Sequence, residues 1–146
     1  MIRVEAYTDG SSLGNPGPSG WAVVLKFGEH QKELSGGEPF STNNQMELTA
    51  VLQAVAAVKR PVELVIHTDS KMVVNWLTGR AACRAPAIAN LCEQIKELAE
   101  KKGVRLVLNW IKGHAGLRLN ERAHALAQAA AEAQKKAANA GEEVPA

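Results

Sequence analysis

The sequence predicts an α/β domain: a mixed five-stranded sheet, with three strands in an antiparallel meander and two parallel strands, flanked by helices. Three observations lead there. Strand-like alternation fills the first quarter of the chain, broken only by short turn-forming stretches. Two later apolar runs rich in branched residues are each preceded by helix-period sequence, the crossover that parallel pairing requires. No internal repeat or linker divides the 146 residues, so one domain over residues 1–139 and a flexible, solvated C-terminal tail at 140–146 are expected.

Each element has its own signal. Ile2, Val4, Ala6 and Thr8 alternate with Arg3, Glu5 and Tyr7, and this first strand is expected to end at Asp9. A loop dominated by Gly, Pro, Ser and Asn follows, up to Gly20. Residues 20–28 and 30–37 then read as a hairpin turning at Gly28 and Glu29. Thr42 and Gln45 form a capping box ahead of the stripe Leu48, Val51, Leu52, Val55 and Val58, and Pro61 closes that helix. Residues 62–68 are a buried strand, 70–77 a short helix and 78–86 a loop. The helix at 87–102 presents Ile88, Leu91, Cys92, Ile95, Leu98 and Ala99 and stops at Gly103. A fifth strand at 104–111 and an Ala-rich helix at 119–139 complete the order β-β-β-α-β-α-α-β-α.

Composition narrows the function. An apolar fraction of 46% with 22% charged residues excludes a disordered or membrane-embedded chain, and no secretion-signal pattern opens the sequence, so a cytoplasmic protein is expected. Cys83 and Cys92 lack neighbours at zinc spacing and read as reduced thiols. Trp21, Trp76 and Trp110 fall at apolar spacings and are expected in the core. A net charge of +2 neither requires nor forbids a nucleic acid partner.

Three acids stand out. Asp9 and Asp69 each follow a predicted strand, and if those strands are neighbours the two carboxylates meet at the carboxyl edge of the sheet, where α/β folds bind ligands. Glu47, in the second turn of the capped helix, borders the apolar stripe and can lean over the same crevice. Carboxylates gathered this way repel one another and persist mainly with a cation; all-oxygen ligation favours Mg²⁺ or Mn²⁺. Singly, each has a plainer use: Asp69 as a helix cap, Asp9 as a turn residue, Glu47 as a rim charge.

The segments YTDGSSLGNPGPSGWAVVL, STNNQMELTAVLQAV, HTDSKMVV and IKGHAGLRLNERAHALA resemble, in order and approximate spacing, the four signature blocks of type 1 ribonuclease H, over about residues 2–130. The resemblance implies a ribonuclease H-like fold and an endonuclease that cuts the RNA strand of RNA/DNA hybrids, leaving 5′-phosphate and 3′-hydroxyl ends. It implies that Asp9, Glu47 and Asp69 hold two divalent ions, and that His114 assists proton transfer or product departure. Asn15, Asn43 and Asn44 are implied at the hybrid's minor groove and Thr42 near a DNA phosphate. Gly10 and Ser11 let the backbone approach the sugar-phosphate chain, and Lys71, Lys112, Arg118 and Arg122 supply further contacts. No small-molecule cofactor is expected, and a monomer is.

Two departures qualify the resemblance. The family places a fourth carboxylate three residues after the Glu of NER; here that position is His124, a weaker Mg²⁺ ligand for which three readings stand: it binds a metal itself, it hydrogen-bonds a metal-bound water, or it is an inert or engineered substitution. The basic, Trp-containing protrusion of many relatives is replaced by LTGRAACRAPAIAN, and no hybrid-binding domain is expected ahead of the first strand, so modest and salt-sensitive binding is expected. The alternative function is a hybrid-binding module weakened in catalysis by His124. An integrase-like DNA nuclease on the same fold is a third reading, against which NNQME and KGHAG argue.

Overall fold

A computed structural model describes residues 1–113 and 115–141. Its elements are β1 (Arg3–Ser12), β2 (Gly17–Phe27), β3 (His30–Ser41), α1 (Asn43–Ala57), β4 (Glu63–Thr68), α2 (Lys71–Leu77), α3 (Pro86–Lys102), β5 (Arg105–Trp110) and α4 (Arg118–Asn139). The sheet order is β3-β2-β1-β4-β5. The first three strands pair antiparallel, whereas β1 with β4 and β4 with β5 pair parallel, as the two helical crossovers demand.

Local chemistry explains the boundaries. Gly28, at φ 58°, supplies the left-handed turn between β2 and β3. The Thr42 hydroxyl accepts from the Gln45 N–H at 3.2 Å and starts α1. Pro86 opens α3, and Gly103, at φ 66°, ends it with its N–H on the carbonyls of Ala99 and Glu100. Lys102 Nζ donates to the Val55 and Ala56 carbonyls at 2.9 and 2.8 Å, so α3 caps the end of α1.

The opening Gly/Pro stretch is shorter as a loop than its composition predicts. β1 runs three residues beyond Asp9 because Gly10, Ser11 and Ser12 pair with Trp21, Gly20 and Ser19, and β2 already begins at Gly17. Pairing outweighs the weak strand propensity of these residues. Only 13–16 remain between the strands.

Two layers cover the sheet. On one face, α1 and α3 bury Leu48, Val51, Val55 and Ile95 against Ala6, Val23, Leu64 and Ile66. Each such large side chain contributes about 1.5–3 kcal/mol on burial. On the other face α4 crosses β1, β2 and β3 and packs Leu119 and Ala123 on Val24 and Tyr7. Gly20 makes this possible: a Cβ there would stand 2.3 Å from the Ala127 carbonyl oxygen and 2.6 Å from the Ala131 nitrogen. Among the described residues no helix is long and apolar enough to cross a membrane.

Candidate metal centre at the carboxyl edge

Parallel pairing carries β1 and β4 up the sheet in register to Tyr7 opposite His67. Two residues further on each chain stand Asp9 and Asp69, on the same face by the period-two alternation of strands. Asp9 is therefore inside β1 rather than at its end. Glu47 comes from the opposite layer, on the second turn of α1. One carboxylate oxygen from each of Asp9, Glu47 and Asp69 lies within 4.8 Å of the other two.

Gly10 sets that approach. A Cβ on it would lie 2.4 Å from the Glu47 nitrogen and 2.6 Å from the Met46 carbonyl carbon, so only glycine lets α1 settle this close to β1. The missing Cβ thus serves helix packing, a use that the sequence did not show. The Gly10 N–H in turn hydrogen-bonds the Glu47 carboxylate.

Electrostatics fits a cation. Glu47 is buried, and burial, followed by the charge of Asp9, a hydrogen bond shared with Asp9 and the charge of Asp69, pushes its carboxyl well above the ordinary range. The Gly10 N–H opposes this only in part. Glu47 Oε2 has no hydrogen-bond partner among the described residues. A buried oxygen without a partner, next to two more carboxylates, suits a hard divalent ion such as Mg²⁺ or Mn²⁺. Ser70, whose hydroxyl accepts from the Val73 N–H at 3.2 Å, caps α2, so that duty does not fall to the Asp69 side chain.

His124, on α4, meets the group from the side. Its Nδ1 lies 2.8 Å from Asp9 Oδ2, the ring nitrogen donating to the carboxylate. The cluster of mutually close ligand atoms does not include it. His114 lies outside the described residues; Gly113 before it is packed so that a Cβ would stand 2.9 Å from Asp69 Oδ2.

Two of the predicted asparagines are tied together. Asn15 Oδ1 accepts from the Asn43 N–H at 2.9 Å, and Asn43 Oδ1 accepts from the Ser12 N–H at 2.7 Å, stitching the 13–16 turn to the start of α1. Both acceptors are thereby used internally, while Asn15, Asn43 and Asn44 remain exposed. Ser11 and Thr42 are half-buried nearby. Lys71 opens α2 two residues after Asp69, its Nζ 4.7 Å from the Trp110 ring centre.

Trp110 departs from expectation. It is 42% exposed and donates from Nε1 to the Asp69 carbonyl at 3.0 Å, whereas Trp76 is buried and Trp21 packs against the core. A polar chain below the site also went unread in the sequence. His67 joins Glu5 Oε1 through Nε2 at 3.0 Å and Asn109 Nδ2 through Nδ1 at 2.9 Å, and stacks on Tyr7 at 4.5 Å. Its signal was the alternation that sets Glu5, Tyr7 and Asp9 on one face with His67 and Asp69.

The family model described as RNase H matches residues 2–132. A ribonuclease H of Halorhodospira halophila is 49% identical over 107 residues, which span 66% of this chain and 72% of the relative. Among solved structures, the N-terminal RNase H domain of a Mycobacterium tuberculosis protein superposes with a TM-score of 0.83 at 26% identity, covering 94% of this chain and 99% of that one. LC11-RNase H1, solved in complex with an RNA/DNA hybrid, gives 0.77 at 25% identity, covering 89% and 97%.

Proposed function

Because the chain belongs to the ribonuclease H family, we propose that it is a metal-dependent endoribonuclease of the type 1 class that hydrolyses the RNA strand of RNA/DNA hybrids. The observation that carries this reading is the convergence of Asp9, Glu47 and Asp69 within 4.8 Å. The hybrid in the LC11-RNase H1 complex supports the choice of substrate.

Asp9, Glu47 and Asp69 would hold two divalent ions, Mg²⁺ or Mn²⁺, when the hybrid is bound. The chemistry such a pair supplies is activation of water for in-line attack and neutralisation of charge on the leaving 3′-oxygen, which yields 5′-phosphate and 3′-hydroxyl ends. The chain's own residues do the rest. The amide N–H groups of Asn15, Asn43 and Asn44 donate into the minor groove, where ribose 2′-hydroxyls distinguish RNA from DNA. Gly10 and Ser11 offer backbone groups to the same strand, and Thr42 and Lys71 contact phosphates. His114, which follows Gly113 in sequence, moves a proton or helps product leave.

One contact favours a second reading. His124 donates to Asp9 where a carboxylate would add an anionic ligand, which lowers the charge available for ions and fits a hybrid-binding module of weakened catalysis. Both readings meet the same experiment. A labelled hybrid, with single-stranded and duplex controls, is incubated with the protein in Mg²⁺ or Mn²⁺. Selective cleavage of the RNA strand is expected, with Asp9→Asn reducing the rate about a thousandfold or more. An inert native chain that His124→Asp turns into a nuclease would establish the binding module, and an active Asp9→Asn variant would remove the metal chemistry.

A further inference from the structure

Away from the carboxylate edge, the two cysteines of the chain lie together. Cys83, half-exposed in the connection between α2 and α3, places its Sγ 3.4 Å from Sγ of buried Cys92 on the second turn of α3. The residues between them turn the chain through Pro86 into the helix, so the two side chains face each other although nine positions apart. We infer that Cys83 and Cys92 form a redox-closable pair, which a peroxide converts into an intramolecular disulfide that fastens the 78–85 connection to α3.

Accessibility divides the roles. Solvent reaches Cys83, whereas burial and the neighbouring Cys83 thiol push the Cys92 thiol up to about 12, so Cys92 does not attack first. The Cys83 thiolate attacks hydrogen peroxide, the O–O bond breaks, hydroxide leaves and a sulfenic acid forms on Cys83. Cys92 sulfur then attacks that sulfur, its proton and the sulfenic hydroxyl leaving as water. In total two thiols are oxidised, one peroxide is reduced, and two waters and one S–S bond result. Closing the gap from 3.4 Å to a covalent bond requires a small movement of the connection, which is held to the body through Ala81 and Cys83.

The connection carries Arg80 and Arg84, so trypsin reads its mobility directly. The full chain is treated with hydrogen peroxide, its remaining thiols are blocked, and the peptides are mapped without reduction by mass spectrometry. A Cys83–Cys92 crosslink is expected in the native protein, absent from Cys83→Ser and Cys92→Ser, with several-fold slower tryptic cleavage after Arg80 and Arg84 that dithiothreitol reverses. Accumulation of sulfinic acid on Cys83, or of disulfide-linked dimers in place of the internal bond, would overturn the inference. So would an internal bond that forms no faster in the folded chain than in urea.

Discussion

Glu47 is where folding and chemistry oppose each other. Its carboxyl has a raised pKa in the folded chain, so above the ordinary carboxyl value of about 4.5 the folded state holds a proton that the unfolded state has released. In that window folding binds protons, and stability falls as pH rises by about 1.4 kcal/mol per unit until Glu47 ionises. Glu47→Gln removes the dependence. Without divalent ions the variant is expected to melt above the native chain at pH 7 and near it at pH 4, whereas Mg²⁺ or Mn²⁺ raises the melting temperature of the native chain alone. A variant no more stable than native at pH 7 would contradict the burial of a strained carboxyl. The closeness of Asp9 and Asp69 was legible because each was read at the tip of a strand, although β1 runs on past Asp9 to Ser12. Gly10 was visible too, but its part in seating α1 was not, since no local pattern reveals which helix will press upon it.

Element boundaries were legible wherever a cap or turn residue marked them: Thr42 at α1, Gly28 in the hairpin and Gly103 after α3. They were illegible where pairing between distant strands decided the outcome, as in the extension of β1 through Ser12. The seating of α4 on β2 was likewise hidden, because it depends on Gly20 meeting Ala127 and Ala131 more than a hundred residues later. Gly20→Ala forces the helix away from the strand, and a loss of about 1–3 kcal/mol is expected, the usual cost of overpacking a tight contact. Urea denaturation measures it. Since α4 also carries His124, the same variant should loosen the contact with Asp9, and an unchanged midpoint would show that the sheet yields instead.

At the scale of the molecule, nucleic acid affinity is expected to rest on few cations. The net charge is +2, and Arg122 is already spent on a two-pronged pair with Glu33 at 2.7 and 2.9 Å, which holds both groups in their charged forms. Binding of a hybrid to the Asp9→Asn variant in Mg²⁺-free buffer should therefore weaken with added salt at a slope that counts only about two to five phosphates. Fluorescence anisotropy across a salt series gives that slope, and one near ten would reveal a larger basic surface. The fold class followed from element order alone, whereas the half-exposure of Trp110 and the pairing of His67 with Glu5 and Asn109 required the third dimension.

The bare Cα of Gly10 has one more consequence. Because a helix packed on a paired strand positions Glu47, the three carboxyl groups are brought together by the act of folding. An ion binding there would have to displace the Glu47 proton but would need little rearrangement of the backbone, so little of its binding free energy would go into ordering the chain.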